Sequence, residues 1–231
     1  MAAKTKKVIL FIVEGPTDEN TLSPIFKKIF QNEEVLFHVV HGDVTSEWLV
    51  NSTNAIKTVY EHIKVEMDRY GFRSNDIIKV IHLIDTDGAF IPSDCVVTGN
   101  VEKLCYEENR IISQNPQNTI KRNSKKTQVL SRLYPTSVIG RTIPYFVYYF
   151  SRNMEHVMHN ISDDLSDDEK MDYADCLIDV YQNNTEAFIH FLADSDFTVQ
   201  RDYRESWRFV FEGTNSLHRY CNLHLLFQEV Q

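Results

Sequence analysis

The feature that most constrains this chain is a pair of short apolar runs, each closed by acids and a glycine. Val8-Ile9-Leu10-Phe11-Ile12-Val13 leads into Glu14-Gly15-Pro16-Thr17-Asp18-Glu19, and Ile77-Ile78-Lys79-Val80-Ile81-His82-Leu83-Ile84 leads into Asp85-Thr86-Asp87-Gly88. Runs this short and this rich in β-branched residues fit strands buried on both faces, as in parallel sheets. Open α/β sheets bind ligands outside the carboxyl ends of their strands. Two acid-terminated strands would therefore pool Glu14, Asp18, Asp85 and Asp87 at one edge. An all-oxygen donor set of that kind selects a hard divalent cation, Mg²⁺ or Mn²⁺.

The intervening pattern supports the same architecture. Pro16 suits a first helical position, and Asp18 and Glu19 suit a first turn, where the helix dipole favours acids. A helix to about Phe30 follows, with Leu22, Ile25, Phe26 and Ile29 on one face. Residues 35–40 read as a second strand ending at His41-Gly42-Asp43, from which His41 could reach the site. Residues 46–70 read as a long amphipathic helix closed by Gly71, and 76–84 as the third strand. This β-α-β-α-β order implies a parallel, Rossmann-like sheet with right-handed crossovers, flanked by helices.

Beyond it, 113–128 is polar and without apolar periodicity, which predicts a long loop within an insertion near 89–143. Residues 144–150 form an aromatic fourth strand. Residues 163–172 are an acidic helix entry, and 173–193 a helix with Leu177, Val180, Tyr181, Phe188 and Phe191 inward. Residues 197–227 mix aromatic strand-like pieces with a short helix from Ser216. The expected organisation is one domain over 1–160, with a mainly helical extension, 161–231, packed on it.

A net charge of −9 argues against an extended nucleic-acid-coating surface. A local patch of Lys121, Arg122, Lys125 and Lys126, joined by Arg152, could still hold phosphates; its bland alternative is a solvated loop. No run approaches the roughly 20 apolar residues of a membrane span. The first residues lack a signal-peptide pattern, and Cys95, Cys105, Cys176 and Cys221 form no Cys-x-x-Cys pair. A cytoplasmic protein with reduced thiols is expected. His156 and His159 lack a third ligand at zinc spacing. No P-loop and no Gly-x-Ser-x-Gly elbow is present.

Glu14-Gly15-x-x-Asp18 after a first strand and Asp85-x-Asp87-Gly88 after a third resemble the TOPRIM domain, the metal-binding module of topoisomerases, bacterial primases and several nucleases. Val13-Glu14-Gly15-Pro16-Thr17-Asp18-Glu19 is most similar to the overcoming-lysogenization-defect (OLD) nucleases. The later Ser151-Arg152-Asn153-Met154-Glu155 resembles the segment in which those enzymes carry a further acidic ligand. The resemblance implies a phosphodiester hydrolase, possessing two metal ions held by Glu14, Asp18, Asp85, Asp87 and Glu155, with Glu14 or Asp18 as general base. It further implies nucleic acid as partner and a role in phage defence. Lacking a P-loop, the chain would be freestanding or work with a separate ATPase subunit; its late aromatic strands also make a homo-oligomer reasonable. OLD-type nucleases add a late lysine, for which Arg152, Arg201, Arg204, Arg208, Arg219, Lys125 and Lys126 are candidates here.

Blander readings stand beside these. Asp18 and Glu19 could be only helix-entry acids, and Asp87-Gly88 a plain turn. Two other functions stay open. One is a haloacid-dehalogenase-type phosphatase with Asp85 as nucleophile and Asp87 as acid; the other is a non-catalytic TOPRIM-like subunit regulating an assembly. Glu205-Ser206-Trp207-Arg208-Phe209 and Asn215-Ser216-Leu217-His218-Arg219 also stand out, with packing on the sheet as their default role.

Overall fold

The structure is a computed structural model and describes residues 7–40, 44–45, 47, 49–162 and 165–228. His41, Gly42 and Asp43, including the expected reach of His41, lie outside the described residues, as do Asp163 and Asp164.

The elements in chain order are β1 (Val8–Val13), α1 (Pro16–Ile29), β2 (Glu34–Val39), α2 (Ala55–Tyr70), β3 (Ile77–Asp85), β4 (Val96–Thr98), β5 (Cys105–Tyr106) and β6 (Ile111–Ser113). Then follow α3 (Pro116–Leu133), β7 (Val138–Ile139), β8 (Ile143–Phe150), α4 (Met154–His159), α5 (Asp167–Tyr181), α6 (Thr185–Asp194) and α7 (Tyr203–Phe211). The main sheet runs β2-β1-β3-β8-β7. Its first four strands are parallel, and β7 closes one edge antiparallel to β8. The chain is therefore α/β, with a mostly parallel central sheet flanked by helices.

All of β1 is buried, which is why it reads as an unbroken apolar run. Its side chains alternate between two layers. Ile9, Phe11 and Val13 pack with Leu22, Ile25 and Phe26 of α1, and with Phe188, Leu192 and Phe227 from the late part of the chain. Val8, Leu10 and Ile12 pack with Val59 and Ile63 of α2, Val129, Leu130 and Leu133 of α3, and Trp207 of α7. Both layers thus need residues after 160, and the register sets Asp85 beside Phe150 at the carboxyl end of the sheet.

Four expectations are corrected. Helix α2 starts at Ala55 rather than near 46, because Asn51 and Asn54 turn their side chains onto neighbouring backbone. Asn51 Oδ1 accepts from Thr53 N–H at 2.9 Å, and Asn54 Oδ1 from Asn51 N–H at 2.8 Å, an alternative to helical bonding. The expected loop at 113–128 is instead most of α3, started by Asn115 as N-cap and Pro116. Its buried residues, Thr119, Asn123, Lys126, Val129, Leu130 and Leu133, do recur at helical spacing, but half of them are polar. Val180 points outward, 61% exposed, not into the core. The late segment, expected to mix strand-like pieces with a short helix from Ser216, holds α7 and short 3₁₀ turns, and its strand-like pairing with the sheet among the described residues is one isolated bridge, Phe150 with Cys221.

Among the described residues, no helix is long and apolar enough to cross a membrane. His224 is buried, with neither ring nitrogen hydrogen-bonded among the described residues. Burial pushes its pKa down to about 4. The unfolded chain takes up this proton near pH 6.5 and the folded chain only near 4, so stability present above 6.5 is lost as pH falls through that window. His224→Phe is expected to weaken the loss of thermal stability between pH 6.5 and 4, removing up to about 3 kcal/mol of acid sensitivity. An unchanged midpoint-against-pH curve would refute this.

Candidate metal and phosphate site

Glu14 leaves β1, and its Oε1 accepts the Asp85 N–H at 3.3 Å, tying the ends of two neighbouring strands. One turn into α1, Asp18 folds back so that Oδ2 accepts the Gly15 N–H at 2.9 Å. Asp18 is therefore a helix-capping acid in geometry, as the blander reading has it, and it still lies beside the other carboxylates. Glu155, in the first turn of α4, is buried, with Lys170 Nζ 3.8 Å from its Oε1.

These acids act on one another. Burial, then the charges of Glu14, Asp18, Asp87 and Glu155, hold the Asp85 carboxyl well above the usual range. Burial raises Asp18 to about 6, opposed by the Gly15 N–H and reinforced by Glu155. Among the described residues, no three Asp, Glu, His or Cys side chains have already converged on one metal position. A cation nevertheless stands among them. Lys126, projecting from α3 and only 1% exposed, places Nζ 2.7 Å from Asp87 Oδ2 and 3.7 Å from Glu14 Oε1. A hard divalent cation takes an all-carboxylate donor set of this kind, and here those carboxylates would have to converge to hold one.

The five basic residues expected to form one patch are distributed differently. Lys121 is exposed on α3, and Lys125 donates to the backbone carbonyl of Glu47. Arg122 donates to the Asp87 carbonyl at 2.7 Å and to Tyr106 Oη at 3.0 Å. Arg152 is buried, lies over the Tyr106 ring at 4.9 Å and donates to the Ser162 carbonyl. Lys126, Arg122 and Arg152 therefore line or brace the acidic loop. His156 Nδ1 stands 3.2 Å from the Ser151 carbonyl, and burial with the Arg152 charge pushes its pKa down to about 4, leaving a neutral ring.

A buried clamp holds the loop after β3, and sequence reasoning missed it. Thr86 Oγ1 donates to the Ser216 carbonyl at 3.0 Å and accepts the Arg152 N–H at 2.8 Å. Asp87 N–H donates to the Arg152 carbonyl at 3.1 Å, and the Ser216 hydroxyl donates to the Ala89 carbonyl. Asp87 and Arg152 both sit at positive φ, 45° and 61°, strained values for non-glycine residues. Gly88, at φ 79°, is required: a Cβ there would lie 2.4 Å from Ile111 Cδ1. The only sequence signal for the clamp was the unexplained Asn215-Ser216 segment.

Thr86→Val keeps the shape but deletes both side-chain bonds. It is expected to cost about 1–3 kcal/mol in chemical denaturation, with Thr86→Ser recovering most of it. Equal stability of the valine variant and wild type would show that the clamp carries no load. Compared with family models, curated proteins and solved structures, the chain has no match.

Proposed function

We propose that this chain is a divalent-metal-dependent nuclease of TOPRIM type, hydrolysing nucleic-acid phosphodiesters in phage defence, alone or with a separate ATPase subunit. The observation that supports it most is that the charges of Glu14, Asp18, Asp87 and Glu155 all act on the Asp85 carboxyl, with the buried Lys126 ammonium 2.7 Å from Asp87. Asp85, Asp87, Glu14, Asp18 and Glu155 are the residues that would hold Mg²⁺ or Mn²⁺. Bound there, the metal would supply Lewis-acid stabilisation of phosphate charge. The chain's own groups do the rest. Lys126 offers an ammonium to a phosphoryl oxygen. Asp18, at the start of α1 with Oδ2 on the Gly15 N–H, is a candidate general base for an attacking water. Arg122 and the Thr86 clamp fix the Asp87 backbone while this happens.

A second reading, the non-catalytic subunit, is favoured by the same lysine: with Nζ seated on Asp87 and beside Glu14, the chain already carries a cation of its own. Incubation with plasmid, linear DNA and structured RNA in Mg²⁺, Mn²⁺ or EDTA, beside Asp85→Ala/Asp87→Ala, separates the two. Metal-dependent cutting that disappears in the double variant supports the nuclease. Metal binding without cutting of any substrate supports the subunit.

A further inference from the structure

The Glu205-Ser206-Trp207-Arg208-Phe209 motif takes no part in the carboxylate site, yet it builds a cavity. Trp207 is buried, stacks on Tyr134 at 5.1 Å between centroids and donates to the Val147 carbonyl, which anchors α7 against β8. With α7 fixed this way, Arg204 and Arg208, one turn apart, reach the rim of a cavity of about 370 Å³. Tyr134, Phe146 and Tyr203 supply aromatic walls, and Ser137 supplies a hydroxyl. Tyr203 is held rigid, its Oη accepting the Val147 N–H at 3.0 Å and donating its one proton to the Val147 or the Tyr134 carbonyl. Arg208 is paired with Glu205, whereas Arg204 has no hydrogen bond or ion pair among the described residues.

The cavity lies at the start of β8, whereas Asp85 pairs with Phe150 at its end. From Tyr145 to Phe150 the strand covers roughly 16 Å, so this is a second place on the molecule. Its size falls in the range of small-ligand sites, and its lining is the usual mixture of apolar walls and a few directed polar groups. Aromatic rings bind flat heterocycles by stacking, and paired guanidinium groups bind phosphate. In a chain of net charge −9, general attraction would not gather an anion here, so the local arginines must.

We infer that this cavity binds one nucleotide unit, its base laid against the aromatic wall and its phosphate on Arg204 and Arg208. A free nucleoside monophosphate and the terminal nucleotide of a strand share that chemistry. The inference is independent of the nuclease reading.

Calorimetric titration with adenosine monophosphate, adenosine, inorganic phosphate and a 5′-phosphorylated dinucleotide tests it, using wild type, Arg204→Ala/Arg208→Ala and Asp85→Asn. Both arginines are exposed, so the double variant should fold, as a matching thermal midpoint would verify. Adenosine monophosphate is expected to bind wild type and Asp85→Asn alike, and the arginine double variant at least about tenfold more weakly. Adenosine or phosphate alone should also bind at least about tenfold more weakly. Tighter binding of the dinucleotide would identify the ligand as a strand end; tighter binding of the monophosphate would identify a free nucleotide. No binding, binding unchanged in the arginine variant, or binding lost in Asp85→Asn would each overturn the assignment.

Discussion

Under the nuclease reading, Asp85→Asn is expected to abolish cleavage while making the metal-free protein more stable at neutral pH. Asp85 is half-buried beside four other carboxylates, and each opposes its ionisation. Because its folded pKa is raised, the native state keeps this proton to higher pH than the unfolded chain does. Stability is therefore fullest below the unfolded value near 3.8 and falls as pH rises towards the raised folded value. Asparagine has no proton to lose and retains the shape. In EDTA at pH 7.5 the variant should gain roughly 1–3 kcal/mol, the scale of relieving a badly placed buried polar group. For a chain this size that is a few degrees in the thermal midpoint. Turnover should fall by at least about 10³-fold, as expected when a group central to charge stabilisation is lost. Activity is read by plasmid cleavage and stability by calorimetry. A variant that is less stable in EDTA, or that still cuts, would show that Asp85 is not a strained ligand held for a cation.

Lys126→Met should do the reverse to stability. It removes the ammonium 2.7 Å from Asp87 and leaves Glu14 and Asp87 with less positive charge beside them. Breaking a fully buried pair costs about 3–5 kcal/mol. Asp87 is partly exposed, so water recovers some of this, and about 2–3 kcal/mol is expected. That corresponds to roughly 5–10 °C in the thermal midpoint. Under the nuclease reading, millimolar Mg²⁺ should restore much of the midpoint while turnover stays about 10²–10³-fold down. Under the subunit reading, Mg²⁺ should restore nothing. Calorimetry with and without metal, on wild type and variant, distinguishes these outcomes. A variant as stable as wild type in EDTA would mean that the pair contributes nothing to the fold.

The sheet could be read from the sequence because its inner strands β1 and β3 are largely buried on both faces. Such strands announce themselves as continuous apolar runs, as at Val8–Val13 and Ile77–Asp85. Helix α3 could not be read in the same way. The test for a helix is apolar periodicity, and the inward positions of its first half are polar: Thr119 bonds Ser113 of β6, and Asn123 and Lys126 lie against the loop after β3. The polarity that made 113–128 resemble a loop is what equips it to meet carboxylates. For the candidate site, Glu14, Asp85 and Asp87 could be picked out because strand end, acid and glycine fall together in the chain. Thr86 and Ser216 could not, since their bond joins residues far apart in sequence and neither type is distinctive alone. The start of α2 was misread for a local reason: the Asn51 and Asn54 turn disrupts a pattern that otherwise continues back towards 46.

The Ser216 clamp also has a consequence for synthesis. A chain emerging from the ribosome presents β1, β3 and β8 well before residues 216–227. Until those residues arrive, Thr86 lacks the Ser216 carbonyl to donate to, and Phe26 and Phe30 lack the Phe227 ring that packs on both. Vectorial folding would thus complete the sheet first and the acidic loop last. Under the nuclease reading, a nascent chain that has not yet made residues 216–227 has not yet clamped the loop with which it would cut its own message or ribosomal RNA.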